Sequence, residues 1–115
     1  MIALVAGAAL HAALASGGVH ADLRLGPALV GTALLRVTLR DDAGHPVRGA
    51  RVSAHVDMAS MDMDPGYKPL TAGPNGTYSK RVELTMPGHW HVQLRVERPG
   101  EKSQTFDTPV FIDLP

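Results

Sequence analysis

The sequence predicts an all-β domain, an immunoglobulin-like β-sandwich of about seven antiparallel strands. Three observations carry this expectation. Apolar and polar residues alternate with period two in successive segments from Leu23 to Ile112. Clusters of Gly, Pro, Asn and Asp interrupt the alternation roughly every 8–12 residues. No segment beyond residue 21 has helical periodicity. A chain of 115 residues, 44% hydrophobic, suits one domain with one modest core.

Leu23 and Leu25 mark a weak first strand. Leu35, Val37 and Leu39 then alternate with Arg36, Thr38 and Arg40 until Asp41-Asp42-Ala43-Gly44 breaks the run. Ala50, Val52, Ala54, Val56 and Met58 share one face of the next strand, with Arg51, Ser53, His55 and Asp57 opposite. Residues 59–69 lose the alternation and contain Pro65-Gly66 and Pro69, which predicts a loop. A short strand at Leu70 leads into Gly73-Pro74-Asn75-Gly76, a hairpin turn. Tyr78, Val82 and Leu84 line the following strand, which Met86-Pro87-Gly88 ends. Trp90, Val92, Leu94 and Val96 line another, and Trp90 is its expected core anchor. After Arg98-Pro99-Gly100-Glu101, Phe106, Val110 and Ile112 form the last.

Residues 1–21 carry no charged side chain, and the first sixteen are dominated by Ala, Leu, Val and Ile. Small-x-small patterns at Ala13-Leu14-Ala15 and Val19-His20-Ala21 suit signal-peptidase cleavage, although no Lys or Arg precedes the apolar run. The expectation is a signal peptide or membrane anchor over 1–21 and a sandwich domain over 22–115. That places the protein in the periplasm or otherwise outside the cytoplasm, with anchoring through residues 1–21 as the variant.

Eleven Lys+Arg balance eleven Asp+Glu, so no basic face for nucleic acid is expected. There is no cysteine, which excludes disulfides, thiolate metal sites and thiol nucleophiles together. Five Met and six His stand out against one Trp, two Tyr and two Phe. Asp62-Met63-Asp64-Pro65-Gly66 is not an EF-hand loop, because Gly73 stands where the bidentate Glu would be needed. Neither a phosphate-binding loop nor a nucleophile elbow occurs, so catalysis is not expected.

Antiparallel strands send alternate connections to opposite poles. The connections at 26–31, 59–69 and 85–89 then share one pole, and those at 41–46, 73–76 and 97–102 the other. Of the Met and His beyond residue 21, Met58, Met61, Met63, Met86, His89, His91 and His55 gather toward the first pole, and only His45 falls at the second. His55 and His91 are expected on the outward face of neighbouring strands, across from one another. Thioethers are soft, neutral ligands that select Cu(I), and imidazole binds Cu(I), Cu(II) and zinc. Met58-x-x-Met61-x-Met63 can wrap an ion, and Met86-x-x-His89 can close the site. Each residue also has a plainer role: Met58 as core, Met61 and Met63 as apolar docking surface, Met86 as an end plug, the histidines as solvated strand residues.

From Val37 to Val96 the chain resembles the YtkA-like domain, which is similar to the periplasmic part of FixH proteins. The residues that carry the resemblance are Asp42-x-Gly44-x-Pro46-Val47-x-Gly49-Ala50-x-Val52, Met58 to Met63, Gly76-x-Tyr78 and Met86-Pro87-Gly88-x-Trp90. The resemblance implies an exported or membrane-anchored immunoglobulin-like domain associated with copper handling or oxidase assembly. Met58, Met61, Met63 and Met86 match the family's Met pattern; the histidines are added from strand geometry.

Together these features lead to the expectation of an exported copper-binding protein, a Cu(I) chaperone, buffer or delivery factor. Its partners would be the copper ion and a membrane-bound copper transporter or oxidase-assembly protein. The alternative is a non-metal interaction module whose Met-rich loop docks on a membrane complex.

Overall fold

The computed structural model describes residues 9–58 and 66–115. They form nine strands: β1 (Leu10–Ser16), β2 (Val19–Gly26), β3 (Gly31–Asp41), β4 (Arg51–Met58), β5 (Lys68–Pro69), β6 (Thr71–Ala72), β7 (Thr77–Leu84), β8 (Gly88–Glu97) and β9 (Gln104–Ile112). Two antiparallel sheets face each other, one ordered β1-β2-β3-β7-β6 and the other β5-β4-β8-β9. Period-two alternation supplies the core between them. Val19, Leu23, Leu25, Leu35, Val37 and Leu39 from the first sheet meet Val92, Leu94, Val96, Trp90 and Ile112 from the second, all at most 2% exposed.

The strand count is nine among the described residues, against about seven expected, for two reasons. The short strand at Leu70 is two strands. β5 pairs with β4 and β6 pairs with β7, so the chain changes sheets at Leu70, whose N–H donates to the Val52 carbonyl at 2.8 Å. The other addition comes from the segment read as a leader. Residues 10–16 pair along β2 from Leu10↔Leu25 to Ser16↔Val19. The expected boundary between residues 21 and 22 therefore falls inside β2, and Val19 and Ala21 on its near side are core residues. The alternation of β1 is masked in the sequence because its outward positions include Ala13 and Ala15 rather than polar residues. No described helix is long and apolar enough to cross a membrane.

The turn joining β6 to β7 shows its chemistry clearly. Asn75 and Gly76 both have positive φ, 58° and 75°, as an Asn-Gly hairpin turn requires. Gly76 is also a close approach: a Cβ there would lie 2.8 Å from the Leu39 carbonyl oxygen and 3.0 Å from Pro46. Tyr78 then ties the two sheets together. Its hydroxyl donates to the Val47 carbonyl at 2.9 Å and accepts from the Ala50 N–H at 3.3 Å.

The pairings give the expected poles. Met58↔Trp90, Gly88↔Ile112 and Gly31↔Leu84 bring the ends of β4, β7 and β9 to the starts of β3 and β8. The 26–31 connection is laced to the chain after β9, with Val30 N–H donating to the Asp113 carbonyl and Asp113 N–H to that of Ala28.

Candidate metal centre

Met58 is the last residue of β4 and faces inward, in phase with Val52, Ala54 and Val56. It packs on the core while remaining half-buried. Its terminal methyl lies against Gly88, where an added Cβ would be 3.1 Å away. Gly88 also has φ +136°, so glycine meets both a backbone and a space requirement there. Two residues earlier, half-buried Met86 accepts a 2.9 Å hydrogen bond at its carbonyl from the Trp90 indole N–H. The buried ring of Trp90 thus fixes the Met86 turn and, by register, stands beside Met58. Met58 thus touches the chain two residues after Met86, at one pole. Met61 and Met63 lie outside the described residues.

The histidines occupy a different surface. His89 and His91 alternate with Trp90 and Val92 and so face outward, and His55 does the same on β4. His89 is exposed at the pole with its ring edge-on to Phe111, centroids 5.2 Å apart. His55 and His91 are not opposite one another, as the sequence suggested. The β4–β8 register sets His55 against Gln93 and Asp57 against His91. Shifting that register by two residues would preserve every face, so alternation alone does not choose between the two.

A hydrogen-bonded row links these histidines across three strands. His91 Nδ1 donates to Asp107 Oδ1 at 3.0 Å, because an ionised carboxylate only accepts. Gln93 Nε2 donates to Asp107 Oδ2 at 3.4 Å, which turns Gln93 Oε1 toward His55 Nδ1 at 3.2 Å. His55 Nε2 lies 3.5 Å from Asp57 Oδ2. Asp57 is 7% exposed, and its other oxygen accepts from the Met58 N–H at 2.9 Å. Gln93 and Asp107 were not singled out from the sequence. The available signal was that Gln93 stands two residues after His91, hence on the same face.

The donor sets therefore divide by sheet face: Met58 lies on the inner side of the sheet, His55 and His91 on the outer, and Met86 and His89 around the rim. Among the described residues, no three His, Asp or Glu side chains converge as a metal cage. The residues present at the pole suit a soft ion held through thioether sulfur. His45 sits in the opposite-pole turn, where Asp41 Oδ1 accepts from the Ala43 and His45 N–H groups at 2.9 Å each.

The two antiparallel sheets define the class, an all-β sandwich domain. The YtkA-like family matches residues 15–95, and the chain belongs to it. No curated protein and no solved structure matches the chain.

Proposed function

We propose that this domain binds Cu(I) at the Met58–Met86 pole and buffers it or passes it to a partner. The observation that carries the proposal is that Met58, whose terminal methyl lies against Gly88, reaches the same pole as the Met86 turn that Trp90 fixes. Met61 and Met63 follow Met58 by three and five residues and would add two further sulfurs. His89, on the rim, would supply an imidazole. Neutral thioethers bind without losing a proton and exchange one at a time, which suits transfer rather than storage in a closed cage. Methionine also holds copper in an oxidising compartment without forming disulfides, which suits a chain that has no cysteine. His91 and His55 would be auxiliary; Asp107 leaves His91 Nε2 as the lone-pair nitrogen, the arrangement common behind metal-bound imidazoles.

Anaerobic Cu(I) titration against a chromophoric competitor tests this. Met58→Ala with Met86→Ala, and separately Met61→Ala with Met63→Ala, should each weaken Cu(I) binding by roughly tenfold or more. Unchanged affinity in both double variants would sink the proposal.

One observation favours a second reading, in which the pole is a docking surface for a membrane complex: Phe111, edge-on to His89, is 54% exposed. Trp90 fluorescence separates the two. Metal binding changes it on adding copper alone, whereas a docking surface responds only to partner protein.

A further inference from the structure

The first sheet has an open edge. β6 covers β7 only at Thr71↔Ser79 and Ala72↔Tyr78. The Gly73 N–H donates to the Thr77 carbonyl at 2.7 Å, so Thr77 turns its backbone groups toward β6. Antiparallel alternation gives Ser79, Arg81 and Glu83 the same orientation, while Tyr78, Lys80 and Val82 turn toward β3. The N–H and C=O groups of Arg81 and Glu83 consequently face outward with no strand beside them among the described residues.

A groove of about 270 Å³ runs beside this edge, where the two sheets part. Ala54, Val56 and Val82 give it an apolar floor. Lys80, Arg81 and Glu83 stand around it, with Lys68 on the far wall. Lys80 lies in the inward phase of β7 between buried Tyr78 and Val82, yet is only half-buried. Neither Lys80 nor Arg81 has an ion-pair partner among the described residues. Glu83 accepts from the Thr32 hydroxyl at 2.8 and 3.0 Å and is drawn toward β3. Among the described residues, Lys80 and Arg81 thus give this edge an uncompensated positive charge. The groove falls below the roughly 300–1,000 Å³ typical of small-molecule pockets and has room for one or two side chains.

We propose that β7 between Lys80 and Leu84 is a docking edge for an extended acidic segment of a partner protein that turns a carboxylate and, two positions away, an apolar side chain toward the inward face, where Lys80 and Val82 follow one another. The partner adds a strand to the sheet through Arg81 and Glu83, seats an apolar side chain over Val56 and Val82, and sets its carboxylates against Lys80 and Arg81. An inward-pointing lysine beside an open edge guards against pairing with neutral strands. The same charge selects an acidic one. The proposal does not rest on copper binding and is tested without metal. β7 runs directly into the Met86 turn, so a strand docked there ends beside the Met58–Met86 pole.

The test is amide NMR of the full chain with a synthetic seven-residue peptide, Val-Thr-Glu-Glu-Val-Thr-Glu, whose odd positions present Val and Glu in turn on one face of a strand. Binding should shift the Arg81 and Glu83 amides and slow their hydrogen exchange. Lys80→Glu with Arg81→Glu should weaken it roughly tenfold, with the rest of the spectrum unchanged. Two peptide controls keep the outcome decisive if that variant misfolds: the same peptide with Lys in place of each Glu, and the acidic peptide N-methylated along its backbone. Both should fail to bind. Equal binding of either control, or no response to the acidic peptide, overturns the proposal. So does protection of the Arg81 and Glu83 amides in the free protein, which would mean that the chain or a second copy already covers the edge.

Discussion

Asp41 is held below the ordinary carboxylate range, chiefly by the backbone N–H of His45 and further by that of Ala43. Those two hydrogen bonds close the β3 turn at the pole away from the methionines. A carboxyl whose folded pKa is depressed contributes stability that is present above its unfolded pKa, near 3.8, and lost as pH falls through the folded value. Asp41→Asn is therefore expected to lower the unfolding midpoint at neutral pH, with the difference from wild type shrinking as pH falls below 4. Thermal melts across pH 2–7 check this; a difference independent of pH contradicts it. Tyr78 offers a larger effect. Tyr78→Phe leaves the Val47 carbonyl and the Ala50 N–H without their hydroxyl partner, at an expected cost of about 1–3 kcal/mol in denaturant unfolding. A loss indistinguishable from zero would mean that water replaces the hydroxyl at the seam between the sheets.

β1 and the start of β2 carry the sharpest expectation among the elements. A chain beginning at Asp22 lacks β1 and the buried side chains of Val19 and Ala21, and exposes the β2 edge. It is expected to lose about 3 kcal/mol or more, from the valine burial and the partly buried Leu10 and Leu14. Equal stability of the full and shortened chains, measured by urea unfolding, would show that the domain starts at residue 22 after all. Leu70 marks the second departure from the sequence reading, because a two-residue strand on either side of one buried leucine carries no period to detect. Leu70→Ala should cost about 2–4 kcal/mol, as it empties the corner where the chain passes between sheets. Where strands are long and one face is polar, as in β3, β4 and β8, alternation made them legible from sequence. Where the outward face is alanine, as in β1, the same physics leaves no mark.

For the molecule as a whole, the sandwich architecture and its two poles follow from counting strands, because antiparallel connections alternate whatever the register. Met86 and Met58 reach one pole for this reason, and His45 the other. Register is a finer property, set by how the facing apolar layers interlock, and a shift of two residues is invisible to the alternation. For that reason the His55–Gln93–Asp107–His91 row replaces the expected His55–His91 pair. The division of sulfur from imidazole between the two sides of one sheet was implicit in the alternation of Trp90 with its flanking histidines. It bears directly on the copper proposal, under which an ion at the pole would be held by thioethers, with His89 as the imidazole on the rim. X-ray absorption of the anaerobically Cu(I)-loaded protein reads that preference most directly. Sulfur-dominated scattering that is lost in the Met58→Ala/Met86→Ala variant is the expected result. A copper shell made of nitrogen and oxygen alone, unchanged in that variant, would contradict it.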